Sequence, residues 1–167
     1  MSDANAGEAY GRLIDDQMSQ ERQRKASLES RGITVITTSS ALATLLFALT
    51  AGLTSASKFK LPGSARLPLV LTLTAFVLAA ALGLIVNIPL KYREPTAHGL
   101  EKLRKPVYWS APAQVGQLRV VQVQIASLKA ARVANRIKVG FLLGAIAFEL
   151  LAVIFLAWAI GLIIYNA

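Results

Sequence analysis

Three long apolar runs, separated by charged or turn-forming stretches, set the pattern of the chain. The first, from Ile33 to Leu53, carries no charge over about 21 residues, enough helix at 1.5 Å per residue for a hydrocarbon core of ~30 Å. The second runs from Leu67 to Leu90, with Pro68 placed where a missing N–H costs little at a helix start and Pro89 near the other end. The third, Val139 to Tyr165, is about 27 residues long and interrupted only by Glu149; it reaches ~40 Å and must tilt or project from a bilayer. The expected fold class is therefore an all-α membrane protein with three transmembrane helices.

The polar stretches also read as helix. Residues 7–31 alternate acidic, basic and apolar side chains, with Tyr10, Leu13, Ile14, Met18 and Leu28 along an imperfect stripe and Glu21 four residues before Lys25. A helix leading into the first span follows, softened or kinked at Gly32. From Lys91 to Gly116 three prolines and two glycines argue against a continuous helix. From Gln117 to Lys138 the positions Leu118, Val121, Ile125 and Leu128 recur at three- and four-residue steps, predicting a coiled-coil-like seam that continues into the third span. The segment VVQVQI alternates as a strand would, but the helix formers from Ala126 to Lys138 favour helix. The expected division is a helix over 1–32, spans at 33–53, 67–90 and 139–165, an outer loop at 54–66, a linker and helix over 91–138, and an outer C-terminus at 166–167.

Charge gives these pieces an orientation. Charged residues make up 16% of the 167 and hydrophobic ones 54%, well off the balance of an ordinary soluble domain. Five Lys and Arg precede Ile33, three lie between Lys58 and Arg66, and ten lie between Lys91 and Lys138. The positive-inside rule then places the N-terminus and the 91–138 segment in the cytoplasm, with the 54–66 loop and the C-terminus outside. This accounts for most of the +9 formal charge, so no nucleic acid is expected as a partner. With no cysteine and a single histidine, His98, the chain lacks thiolate chemistry and paired metal ligands, and no metal or other cofactor is expected. It also lacks phosphate-loop, HExxH, GxSxG and Rossmann patterns, which argues against an enzyme and leaves no catalytic residue to name.

Candidate residues lie within the spans. Glu149 is an ionisable group near the middle of the third, with Ala145 and Ala152 on its helical face. It reads either as a hydrogen-bonded group in helix packing or as part of an ion or proton path. Asn87, Thr37 and Thr44 are further intramembrane polar positions, Thr37 and Thr44 standing with Thr34, Ala41 and Ala48 along one narrow face. Ala75, Ala79 and Gly83 step by four through the second span, and Gly140 and Gly144 form a GxxxG pair in the third; both patterns let helices approach closely.

A basic helix containing Arg24, Lys25 and Ala26, then two spans joined by a short loop, then a helix ending Asn135, Arg136, Ile137 and Lys138 before a last span resembles a family of small actinobacterial integral membrane proteins. The layout is also distantly similar to the membrane module of Pycsar antiphage effectors. That likeness implies self-assembly and membrane damage in antiviral defence, under cyclic-nucleotide control, although the chain has no room for a separate nucleotide-binding domain. The expected function is a non-enzymatic protein that oligomerises and couples its cytoplasmic helices to a membrane output. The alternatives are an ion or proton channel or transporter component using Glu149, or an accessory subunit. Expected partners are membrane lipids and either further copies of the chain or a larger membrane complex.

Overall fold

A computed structural model describes residues 6–55, 62–89, 101 and 112–165. Among these residues lie three helices, α1 (Ala6–Ser55), α2 (Gly63–Asn87) and α3 (Ala113–Tyr165), and no strand. Each contains a stretch long and apolar enough to cross a membrane. The expected outer loop at 54–66 is helical at both ends, to Ser55 and from Gly63; its middle, 56–61, most of the 91–111 connection with His98, Tyr108 and Trp109, and the pair 166–167 lie outside the described residues.

Proline marks the starts of α2 and α3 and the end of α2. α1 and α3 contain none, and each runs without interruption through its charged and its apolar part. α1 is helical through Gly32, and VVQVQI is helical as the run of helix formers after it favours. α3 starts at Ala113 rather than Gln117, with the carbonyl of Pro112 accepting from the amides of Val115 at 2.9 Å and Gly116 at 3.4 Å. Gly116 is thus a first-turn residue rather than part of the linker. α2 likewise begins earlier than expected, after Pro62, whose carbonyl accepts from the Ala65 amide at 3.0 Å. Pro68 therefore sits inside the helix, not at its first position. At the far end Pro89 disfavours the helical conformation for the residue before it, and Ile88 is extended, with φ −64° and ψ 130°.

The chain divides into two compact units. The charged unit comprises Met1–Ser27 and Pro89–Ile137; the apolar unit comprises Leu28–Ile88 and Lys138–Ala167. In the charged unit a line of sheltered positions on α1 runs through Gly7, Gly11, Ile14, Met18, Glu21 and Lys25, with Gln17 beside it, and one on α3 through Val121, Gln124, Leu128, Ala131 and Asn135, with Ser127, Ala130 and Ala134 beside it. Both lines alternate steps of three and four, which keeps one stripe of a helix turned toward a neighbour. The seam differs from the expected one at two places: Leu118 and Ile125 are exposed, and Gln124 takes the sheltered position between Val121 and Leu128. The amide of Gln124 is held by Asp15, so a polar side chain occupies the seam with a partner while the neighbouring isoleucine falls on its flank.

In the apolar unit the buried positions are small. Ala75, Ala79 and Gly83 on α2 and Ala145, Ala152 and Ala159 on α3 are all buried, with Leu28, Val35, Leu46, Phe76, Val86 and Leu142 filling the space between them. Small residues at repeated positions bring backbones together, which is where membrane helices gain dispersion contact without a hydrophobic driving force. α2 and α3 present mainly branched aliphatic side chains outward, among them Leu67, Val77 and Leu84 on α2 and Leu143, Leu150 and Ile154 on α3. That outer surface suits lipid.

Candidate functional site

Among the described residues, a series of polar contacts joins α1 to α3. In the charged unit, Gln124 Nε2 donates to Asp15 Oδ1 at 2.8 Å and Arg132 Nη2 donates to Gln17 Oε1 at 2.8 Å. Asn135 Nδ2 donates both to the Glu21 carbonyl at 3.0 Å and to Glu21 Oε2 at 2.8 Å. Arg132 Nε also lies 3.4 Å from Glu21 Oε1. The partners are separated in sequence by 109, 115 and 114 positions, a nearly constant difference, so α1 and α3 run in the same direction in this unit. These pairs favour one register, chiefly through Asn135, which is buried and would lose its Glu21 partner if the helices slipped by a turn. Asn135 Oδ1 and Gln124 Oε1 are buried without a hydrogen-bond partner among the described residues.

In the apolar unit two pairs join the same helices. Lys138 Nζ donates to Glu29 Oε1 at 2.6 Å, with the lysine side chain 1% exposed and the glutamate 29%. Thr38 Oγ1 donates to Glu149 Oε1. These pairs are separated by 109 and 111 positions, again marking parallel helices. α2 runs the other way, since Gly32 of α1 faces Gly83 and Asn87 of α2 while Ile36, one turn later, reaches back to Gly83.

The other sequence-predicted residues fall into distinct settings. Thr37 Oγ1 donates to the Ile33 carbonyl at 3.0 Å and Thr44 Oγ1 to the Ser40 carbonyl at 2.8 Å, so both hydroxyls are bonded within α1, and both residues are exposed. Asn87 Nδ2 donates to the Gly83 carbonyl at 3.0 Å within α2. Ala75, Ala79, Gly83, Ala145 and Ala152 are buried. The GxxxG pair does not act as a unit: a Cβ on Gly144 would lie 3.3 Å from Leu82 Cδ1, whereas one on Gly140 would meet nothing within 4 Å.

Three features escaped sequence reasoning. Gly32 is a packing residue: a Cβ there would come within 2.8 Å of Asn87 Nδ2 and 3.1 Å of the Gly83 carbonyl oxygen. Lys138 reads in sequence as one more basic residue before a span, with nothing to mark it as buried. Ser39 is buried in the same unit, and its Oγ has no hydrogen-bond partner among the described residues.

Among the described residues no group of three or more His, Cys, Asp or Glu side chains is arranged to hold a metal ion. No protein-family model, curated protein or solved structure matches the chain.

Proposed function

We propose that this chain is a non-enzymatic, multi-pass protein of the bacterial inner membrane that self-assembles and couples its charged helical unit to an output in the membrane. In this reading the three apolar stretches cross the bilayer and the charged unit stands in the cytoplasm, on the side where most Lys and Arg lie. Perturbation of the membrane is the output that the resemblance to the antiphage modules suggests.

The observation that carries the reading is the surface of the charged unit. Among the described residues its buried apolar side chains are Ile14, Leu128 and Ala134, whereas Tyr10 and Leu13 of α1 and Leu118, Val120 and Val133 of α3 are more than half exposed. Two helices with so little buried between them are marginal in water, and large apolar side chains left on such a surface mark contacts with another molecule. The test is purification from native membranes in mild detergent, followed by mass measurement. Self-assembly predicts a particle whose protein mass is a multiple of 17.9 kDa. A stoichiometric foreign chain would instead make it an accessory subunit, and a strictly monomeric particle at high concentration would contradict the proposal.

A further inference from the structure

Charge is unevenly placed along the charged unit. On α1 the acids Glu8, Asp15, Asp16 and Glu21 come first, each held by a polar side chain: Arg12, Gln124, Gln20 and Asn135 respectively. Basic residues follow, and α3 carries no acid at all between Ala113 and Phe148. Arg24 on α1 and Lys129 and Arg136 on α3 are exposed, and none of the three makes an ion pair or hydrogen bond among the described residues.

These three share one flank of the helix pair. Arg132 bonds to Gln17, which identifies the flank of α1 and the flank of α3 that lie on the same side. Arg24 follows Gln17 by seven residues, two turns along one face, and Lys129 and Arg136 lie three before and four after Arg132. Contacts across the pair join positions 109 to 115 apart, so Arg24 stands level with Arg136. Glu21, three residues before Arg24, already accepts from Asn135 and faces Arg132. Two guanidinium groups thus stand at one level on parallel neighbours with no carboxylate left to share.

Their position along the helices points to an occupant. Arg136 lies three residues, ~4.5 Å of helix, before Val139, where the third apolar run begins, and Arg24 lies four residues before Leu28, where α1 enters the apolar unit. Headgroups occupy roughly 5–8 Å beyond the hydrocarbon on each side of a bilayer. We infer that Arg24 and Arg136, with Lys129 at the outer edge, form a docking surface for the phosphate of an anionic phospholipid. The inference rests on the reading that the apolar stretches lie in the bilayer, and it adds a lipid class and a site to that reading. Charge complementarity selects the class: a phosphate with no cation of its own neutralises both arginines, whose planar forks donate to its oxygens, whereas a zwitterionic headgroup brings a positive charge with it.

The test titrates the full chain in mild detergent with phosphatidylglycerol or phosphatidylcholine and follows bound lipid by native mass measurement. The wild-type chain should prefer phosphatidylglycerol. Each basic residue close to the headgroups is worth about fivefold, so Arg24→Gln with Arg136→Gln should weaken phosphatidylglycerol binding ~30-fold and leave phosphatidylcholine binding and helicity unchanged. Arg24→Lys with Arg136→Lys should keep most of the preference. Arg12→Gln with Arg22→Gln removes the same charge from other flanks of α1 and should change it by less than about threefold. Equal wild-type affinity for the two lipids, or an equal loss in the Arg12 and Arg22 variant, overturns the inference. An acidic protein that copurifies with the wild type and is lost from the Arg24→Gln, Arg136→Gln variant while its lipid preference is intact also overturns it, and assigns the surface to a protein. Detergent has no leaflets, so a missing lipid preference removes this surface alone, whereas a charged unit accessible from outside intact cells contradicts the cytoplasmic placement alone.

Discussion

Replacing Glu29 by Leu should cost about 3–5 kcal/mol of stability, the range for breaking a buried ion pair by removing one partner. Lys138 is 1% exposed and has no other hydrogen-bonding partner among the described residues, so the substitution leaves an ammonium group enclosed without a counter-charge. Lys138→Met should cost less. Glu29 is 29% exposed, and water can take over part of what the lysine supplied. The double variant, Glu29→Leu with Lys138→Met, should recover most of the loss, because an apolar pair of similar volume is often as stable as the ion pair it replaces. Denaturant titration of the four proteins in detergent measures this cycle. A Glu29→Leu loss no larger than that of Lys138→Met, or a double variant no better than Glu29→Leu, would show that the pair is not enclosed as described.

The second large effect is expected where α1 and α2 touch. A Cβ on Gly83 would lie 3.0 Å from the Gly32 carbonyl oxygen and 3.1 Å from Ile36 Cγ1. The nearer atom is helix backbone, which cannot swing aside as the end of a side chain can. Gly83→Val should therefore separate the helices and cost ~3 kcal/mol, at the upper end of the usual penalty for overpacking. Gly140→Ala is the matched control: its added methyl meets nothing within 4 Å, so it should leave stability unchanged or raise it by up to ~1 kcal/mol through helix propensity. Thermal unfolding of both variants separates a close helix contact from a general intolerance of larger residues. Equal losses at the two positions would contradict the packing described.

These two sites mark the boundary of what the sequence makes legible. The three apolar stretches are visible because length and lack of charge are local properties, and Pro89 ends α2 for an equally local reason. The start of α2 was misplaced because a proline tolerated in the second turn looks like one at the first. Register is not local. The spacing of apolar residues puts Ile125 in the seam, whereas Gln124 takes the sheltered position and meets Asp15, a residue 109 positions away. Gly32 and Lys138 were read at face value, as a softening residue and a topology charge, because their roles depend on what stands opposite. Glu149 stands out in the sequence as an ionisable residue inside an apolar span, but no spacing rule pairs it with Thr38 rather than Thr37. The GxxxG pair shows the converse, a recognisable motif whose two glycines face different surroundings.

The claim on which the functional reading depends is that the charged unit lies in the cytoplasm while the apolar stretches cross the bilayer. A single Gln122→Cys variant tests it, since Gln122 is exposed on α3 within the charged unit. A membrane-impermeant thiol reagent applied to intact cells should leave this cysteine unmodified and should label it once the membrane is opened. Full labelling in intact cells would place the unit on the opposite side and contradict the account.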